Sequence, residues 1–389
     1  MMMETNCLFS QSKIEPDPLP ILAWHGIPAD QLTHSRFVEL REAGFTHNFS
    51  FLSKAEEVAK ALDLAAKTDV KMIITCEELQ SEPEKTVRRF MNHPALAGYF
   101  LRDEPAVKDF AELSAWAKRI KAVDSNHFCY LNLFPNGPKE HLDGIGAKSY
   151  ADYVNQFDEQ VPLSFLSFDH YPITTGGLKA EWYENLEDIA RISTERNKDF
   201  WAFALATRHL TYPLPTLAML RLQMYSNLAY GAQGLQYFTY STPEDSRIWD
   251  FQDGIIGLDG KRTVVYDLVK ALNQELQAVS GVFKDAKVIS VRHTGDIIPR
   301  GTLRLNQAPA PIKVLATEGK GAVVSHLKKG KRQFLVIVNR DYESPMKLTL
   351  VADPSLKRVM KDGTLISADV YTPITMVDPG DSMIYCWEN

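Results

Sequence analysis

The 389-residue chain lacks the features that would assign it at once to a metalloprotein or a nucleotide-binding protein. Its four cysteines are Cys7, Cys76, Cys129 and Cys386. None has metal-ligand spacing, and we expect Cys76 and Cys129, which lie in apolar runs, to be small buried residues. The glycines at 176–177 and 254–257 match no phosphate-binding loop.

Long apolar runs and an excess of basic charge are also absent. No run approaches the ~18 apolar residues that a membrane span needs, and residues 1–20 lack the apolar core of a signal peptide. A signal removed beforehand would leave the same sequence, so we expect a soluble protein, either cytoplasmic or exported. The net charge is −6 and the basic residues are scattered, which disfavours a nucleic-acid or anionic-membrane partner.

What the sequence does contain, over residues 20–280, is an alternation of apolar strands and amphipathic helices. The candidate strands are Ile21–Ile27, Phe45–Leu52, Lys71–Cys76, Ala97–Arg102, His127–Phe134, Leu163–Phe168, Phe200–Thr207 and Gly234–Tyr240. They are apolar along their length, as parallel strands covered on both faces are. A capping box at residues 53–56 begins one of the helices between them. The pattern predicts an α/β fold, a (β/α)8 TIM barrel, after an extension of residues 1–19.

After residue 280 the period of the pattern changes. Short strands alternate with turns rich in Gly, Pro, Asp and Asn, and the clearest hairpin turn is Lys328-Lys329-Gly330-Lys331. The predicted strands are Val288–Val291, Ile312–Ala316, Ala322–Leu327, Arg332–Asn339, Met346–Val351, Leu365–Tyr371 and Ser382–Trp387. Residues 281–389 are therefore predicted to form a small all-β sandwich.

The segment Arg102-Asp103-Glu104-Pro105 ends the fourth predicted strand. In a barrel of parallel strands, catalytic residues lie at this C-terminal rim. A Glu that is desolvated beside another carboxylate has a raised pKa and can act as an acid, although Arg102 would lower that pKa if it came close. In a regular strand Asp103 would point to the opposite side from Glu104. The alternative is that both acids only begin the next helix.

Three stretches of the chain resemble known enzymes: residues 98–105, Leu166–Pro172, and Arg221–Tyr240. They are similar to clan A glycoside hydrolases, and closest to glycoside hydrolase family 42, the β-galactosidase type. The resemblance implies a barrel with a C-terminal sandwich and an acid/base Glu at the end of strand four, which is Glu104. The family usually has an Asn that contacts a sugar hydroxyl where this chain has Asp103.

The clan places a second carboxylate, the nucleophile, at the end of strand seven. This chain has no Asp or Glu from Phe200 through Pro243. The best-placed substitute is Asp169, after strand six, which could activate water in an inverting reaction or contact sugar. Glu77 and Glu78, after strand three, are a second source. We expect Glu244 and Asp245 to be solvated.

Further polar and aromatic residues fall at or near the predicted strand tips, where rings could stack on sugars and polar groups could orient them. Each alone is more often a core or rim residue. The candidate substrate contacts are Trp24, His25, Asn48, Asn132, His170, Tyr171, His209, Tyr237 and Tyr240. Histidines 25, 47, 170 and 209 lack metal-ligand spacing, so neither a metal nor a cofactor is expected.

The sequence therefore predicts an enzyme that hydrolyses O-glycosidic bonds in an oligosaccharide or glycoside, with Glu104 as general acid/base. The alternative is a non-catalytic glycan-binding protein on a degenerate glycosidase barrel. The missing strand-seven carboxylate favours the alternative, whereas the Asp103-Glu104 pair favours the enzyme.

Overall fold

The structure is a computed structural model that describes residues 12–244, 246–368 and 374–388. Cys7, Asp245 and the end of the predicted strand Leu365–Tyr371 lie outside these ranges. Within the described residues, no helix is long and apolar enough to cross a membrane. The three cysteines in these ranges are free and buried, as predicted for Cys76 and Cys129.

Eight parallel strands form the central sheet. They are β1 Ile21–Trp24, β2 His47–Phe49, β3 Lys71–Ile74, β4 Leu96–Asp103, β5 Phe128–Asn132, β6 Phe165–Phe168, β7 Asp199–Leu205 and β8 Gly234–Phe238. Strand β1 pairs with both β2 and β8, and a parallel bridge between Leu133 and Phe168 joins β5 to β6. The ring is therefore closed, and the predicted (β/α)8 barrel is confirmed.

Helices surround the ring and connect its strands. They are α1 His34–Glu42, α2 Ala55–Ala66, α3 Glu77–Ser81, α4 Pro83–Phe90, α5 Phe110–Val123, α6 Lys139–Ile145, α7 Tyr150–Gln160, α8 Trp182–Arg196, α9 Leu217–Ala229, α10 Ser246–Trp249 and α11 Val264–Ala278. The capping box before α2 is displaced by one residue from its predicted position. Glu57, and not Glu56, accepts hydrogen bonds from the backbone N–H groups of Ser53 (2.9 Å) and Lys54 (3.2 Å).

Aromatic side chains fill the inside of the barrel. The Trp24 ring lies 4.5 Å from Phe49, 5.6 Å from Phe100 and from Tyr130, and 5.3 Å from Phe203, measured between ring centroids. All five residues are buried. The barrel mouth therefore has a closed apolar floor, and any ligand must bind above it.

The C-terminal strands form two antiparallel sheets. They are β9 Lys287–His293, β10 Ile312–Ala316, β11 Ala322–Lys329, β12 Arg332–Asn339, β13 Met346–Ala352, β14 Lys357–Val359, β15 Leu365–Ser367, β16 Ile374–Val377 and β17 Ser382–Glu388. The predicted hairpin joins β11 to β12, while β14 and β16 were not predicted. The six-stranded sheet (β9, β11, β12, β17, β14, β15) packs one face on the barrel core and the other on the three-stranded sheet β10, β13 and β16. The predicted β domain is confirmed.

Candidate active site

Strand β4 ends in a sharp turn that redirects Glu104. The backbone of Glu104 is in the left-handed region with φ +46°, where a residue other than glycine is uncommon. Its N–H donates to the Asn132 carbonyl at 2.8 Å, and the Tyr153 hydroxyl donates to the Pro105 carbonyl at 2.6 Å. These two bonds to neighbouring elements hold the turn.

The turn overrides the alternation expected for a regular strand. The pairing of β4 with β5 also shifts register between Phe100 and Arg102. The strand is therefore not regular at its end, the condition for opposite directions of Asp103 and Glu104 is not met, and the two carboxyls interact. Arg102 instead approaches Asp109 (3.5 Å) and Glu112 (3.8 Å) outside the mouth.

Asp169 follows β6 and completes a cluster of three carboxyl groups with Asp103 and Glu104, which we call the acid cluster. Asp169 is 8% exposed and shares a hydrogen bond with Glu104. The Tyr171 hydroxyl interacts with Asp169 and favours its charged form. The Asn132 side-chain amide donates to Asp169 at 2.9 Å and to Asp103 at 3.2 Å. The structure thus brings together five of the predicted site residues.

A buried relay beneath the acid cluster fixes the orientation of Asn132. Its side-chain oxygen accepts from the Ser167 hydroxyl at 3.0 Å. Ser167 in turn bonds to the Tyr130 hydroxyl and to the Gln236 amide, both at 2.9 Å. Because the oxygen of Asn132 is already occupied, its NH₂ group must point at the carboxyls. Sequence reasoning missed this relay, although a Ser and a Gln within apolar strands were a visible signal.

Burial raises the pKa of Glu104 to about 10, and the charges of Asp169 and Asp103 act in the same direction. Burial raises the pKa of Asp169 less, to about 6, because hydrogen bonds from Asn132 and Tyr171 favour its charged form. The pKa of Asp103 is raised by burial and by Asp169, but solvent reaches this side chain at the mouth and weakens both effects. The two carboxyls titrate as a pair, and the larger rise of the pKa of Glu104 favours a proton on Glu104 and the charge on Asp169.

The separation of these two carboxyls differs from that of the standard glycosidase mechanisms. Catalytic pairs are about 5–5.5 Å apart in retaining enzymes and about 6.5–9.5 Å apart in inverting ones. Glu104 and Asp169 are in direct hydrogen-bond contact, so no sugar lies between them in this conformation. The tip of β7 continues with Ala206 and Thr207 and supplies no carboxylate.

An aromatic track, which we define as Tyr171, Phe238, Phe251 and Trp249, runs outward from the acid cluster. Tyr171 stacks on Phe238 (5.8 Å between centroids, 27° between planes), and Phe238 meets Phe251 edge-on at 5.5 Å. Phe251 stacks on Trp249 (6.3 Å, 22°), which is 49% exposed. The three residues after Tyr171 were not predicted as site residues.

His209 lies beside this track. Its ring stacks on Tyr212 (4.6 Å, 30°) and lies 4.8 Å from Phe251. Burial lowers the pKa of His209 to about 4, so the ring is neutral at pH 7. Its Nδ1 atom is buried and has no hydrogen-bond partner among the described residues.

Two other candidates are close to the mouth. Trp24 forms part of its floor. His25 lies at the rim, where its Nδ1 is 3.1 Å from the Ser241 carbonyl. Together with the exposed Glu244, His25 lines a cavity of about 300 Å³ beside β1 and β8.

The remaining candidates lie away from the acid cluster. Asn48 bonds to the Ile27 backbone, and Tyr237 and Tyr240 are buried in the core shared with the outer helices. His170 bonds to Asn185 of α8 at 2.8 Å. Glu78 caps α2 through the Ala55 N–H at 3.1 Å, and Glu77 is exposed. Among the described residues, no three His, Cys, Asp or Glu side chains are arranged to hold a metal ion.

No protein-family model and no curated protein matches the sequence. Solved structures do match. A β-galactosidase from Bacillus circulans sp. alkalophilus is 8% identical (TM-score 0.62; 95% of this chain, 99% of that chain). A GH42 β-galactosidase from G. stearothermophilus is 8% identical (0.61; 97% and 100%). A glycoside hydrolase family 5 protein from Bacteroides vulgatus is 11% identical (0.60; 96% and 90%). The chain therefore has the fold of clan A-like glycoside hydrolases, as the sequence predicted.

Proposed function

We propose that the protein hydrolyses O-glycosidic bonds, with Glu104 as general acid and Asp169 as the base that activates water. One observation carries the proposal: the carboxyl groups of Glu104 and Asp169 interact directly at the mouth of a glycosidase-type barrel, where burial raises the pKa of Glu104 more than that of Asp169. An enzyme that must protonate a leaving group and deprotonate water needs these two states at the same pH.

The reaction follows from this pair. The glycosidic oxygen replaces Asp169 as the hydrogen-bond partner of Glu104 and receives its proton as the C–O bond breaks. Asp169, still held by Asn132, takes a proton from the water that attacks the anomeric carbon. That proton returns to Glu104 through the restored hydrogen bond. Since β7 supplies no nucleophile, we expect a single displacement, which inverts the anomeric configuration. This step requires the two carboxyls, which are in contact without substrate, to separate to about 6.5–9.5 Å when the sugar binds.

The aromatic track supports an oligosaccharide substrate. Sugar C–H faces stack on flat apolar rings, and this track extends from Tyr171, beside the base, to the exposed Trp249. Several sugar units could therefore lie along it. Activity would be tested on a panel of glycosides. Two of the structures with the same fold are named as β-galactosidases, so β-galactosides are the first members of this panel.

The test compares Glu104→Gln with the matched surface variant Glu140→Gln, which changes an exposed carboxyl on α6. For glycosides with poor leaving groups, we expect Glu104→Gln to lower kcat/KM by about 10²–10⁴-fold, the usual contribution of a general acid. Aryl glycosides with acidic leaving phenols need little protonation and should lose much less. NMR of the first product gives the anomer. An equal loss for both leaving-group classes would remove Glu104 from the role of acid.

A second candidate function is non-catalytic glycan binding. It is favoured by the absence of a carboxylate at the β7 tip and by the closed Glu104–Asp169 pair. In that case oligosaccharides would raise the melting temperature of the wild type and of Glu104→Gln equally, and neither protein would release sugar from any member of the panel.

A further inference from the structure

A polar cleft lies in the C-terminal domain, on the side of the six-stranded sheet that faces away from the barrel. Ser290 and Arg292 of β9 pair with His326 and Val324 of β11, and His326 pairs with Leu335 of β12. Because side chains alternate along a strand, these residues share one face of the sheet. They form the floor of a cavity of about 270 Å³.

The cleft exists because the two sheets of the domain differ in width. The three-stranded sheet covers the strands at the centre of the larger sheet. Residues 304–309 form the wall over β9, where the Leu305 N–H donates to the His293 carbonyl at 2.8 Å. Leu305 packs on the apolar core between the sheets, whereas Arg304, Asn306 and Gln307 line the opening.

The cleft carries positive charge that no acid among the described residues neutralises through an ion pair. Arg292 donates to the Val291 carbonyl, and Arg304 donates to the carbonyls of residues 295 and 296. Neither guanidinium forms an ion pair within the described part of the chain, and the lining contains no Asp or Glu. Glu187 is close enough to feel the charge of Arg292 but is bonded to Tyr230. This contrasts with the net charge of −6 of the chain.

A third guanidinium strengthens this field. Arg340 donates to the backbone carbonyls of residues 294 and 297; burial lowers its pKa, and the like charge of Arg304 acts in the same direction. His326 adds a neutral polar group, because burial lowers its pKa, and it is held by Gln333 and by stacking on Trp387 (5.5 Å, 25°). Two arginines that line one cavity and form no ion pair among the described residues can recognise carboxylate, sulfate or phosphate oxygens.

We propose that this cleft binds a small anionic sugar, with Arg292 and Arg304 on its carboxylate, sulfate or phosphate group. The volume is near the lower end of small-molecule sites, about 300–1,000 Å³, which suits one sugar unit. Asn306, Gln307 and Ser290 supply hydrogen bonds for hydroxyls, and the partly exposed Leu305 and Pro309 supply an apolar surface for the ring. The site is separate from the acid cluster and does not depend on catalysis by the barrel.

The test measures binding to the full chain by isothermal titration calorimetry. The probes are glucuronate, galactose 6-sulfate and glucose 6-phosphate, with neutral glucose as the reference, and they distinguish the three anionic groups. We expect at least one anion to bind more tightly than glucose, and its affinity to fall with added NaCl. Arg292→Met and Arg304→Glu should each weaken that binding by roughly tenfold or more.

Two controls separate this site from the rest of the protein. Arg332→Met changes an arginine of the same sheet that pairs with Glu388 outside the cleft, and it should bind like the wild type. Glu104→Gln should also bind normally, so failure of the proposed hydrolysis leaves this test intact. Melting temperatures show whether each variant is folded, and Arg304 is exposed on a loop, where substitution is tolerated best. Equal binding of glucose, binding unchanged in both cleft variants, or no binding of any anion at millimolar concentration would each overturn the proposal.

Discussion

The two sides of the barrel mouth are formed by equivalent strand tips but carry opposite chemistry. On the side of β4–β6, the tips bring together three carboxyl groups with Asn132 between them. On the side of β7–β8, no carboxyl occurs from Phe200 through Pro243, and the surface is aromatic. The strand tips are equivalent positions in the fold. The residues at these tips decide that one side of the mouth is suited to proton transfer and the other to stacking on a ligand.

The comparison also explains why the acids differ from surface carboxyls. Arg102 is turned outward, and among the described residues no cation forms an ion pair with any member of the acid cluster. Burial therefore raises their pKa values, repulsion between the carboxyls adds to the rise for Asp103 and Glu104, and only hydrogen bonds such as those from Asn132 oppose it. Such a cluster destabilises the fold, and natural proteins keep such features chiefly at functional sites.

The largest effect is expected on the acidic side of the mouth. Asp169→Asn keeps the shape of the side chain and can still accept from Asn132, but it cannot take a proton from water. We expect kcat/KM for poor leaving groups to fall by about 10²–10⁴-fold. Steady-state hydrolysis measures this, with Asp143→Asn, an exposed partner of Lys139 on α6, as the control. If Asp169→Asn kept about a tenth or more of the wild-type rate, Asp169 would not be the base.

The sequence predicted the ring because its eight strands are continuous apolar runs, and it placed Glu104 and Asp169 at the same rim because the tips of parallel strands gather there. It did not predict which residues point inward. In a parallel sheet covered on both faces, the residues that point into the barrel and those that point outward are equally apolar, so the sequence pattern does not distinguish them. Asn48 and Tyr237 were therefore assigned to the mouth, although both lie outside the acid cluster.

Two further features were beyond local sequence reasoning. Strand alternation could not foresee the left-handed backbone of Glu104, which turns its side chain toward Asp169. The loop after β8 has no periodic pattern, so nothing in the sequence placed Trp249 and Phe251 in line with Tyr171. The same limit explains why only the structure shows Asn132 as the residue that bridges two acids.

The pH dependence of hydrolysis tests how the acidic side works. Activity requires ionised Asp169 and neutral Glu104, so kcat/KM should rise with pH through a pKa of about 6 and fall only well above neutrality. Tyr171→Phe removes a hydrogen bond to the charged form of Asp169. This should raise its pKa and move the acidic limb upward by roughly 0.5–1 pH unit. If the acidic limb of the pH profile of Tyr171→Phe stayed at the wild-type pH or moved to lower pH, this account would be contradicted.

A smaller effect is expected on the aromatic side. Trp249→Ala removes the exposed end of the track, so it should weaken binding of long oligosaccharides by roughly threefold to tenfold and leave short aryl glycosides unchanged. Titration into the Glu104→Gln background measures affinity without turnover. Ile248→Ala, which changes the neighbouring exposed apolar residue (70% exposed), is the control. A loss of affinity that does not depend on chain length would mean that sugars do not follow the track.

The smallest effect concerns stability. The pKa of Glu104 is raised above its ordinary value of 4.5, so the folded state holds a proton that the unfolded chain releases above that pH. Stability must then fall as pH rises from 4.5 toward the raised pKa. Glutamine does not titrate. Glu104→Gln should therefore melt near the wild type at pH 4 but roughly 1–3 °C higher at pH 8, while Glu140→Gln shows no such trend. If the difference in melting temperature were the same at both pH values, the fold would not hold Glu104 neutral. The two sides of the mouth would then differ in the side chains they carry, but not in the protonation of their acids.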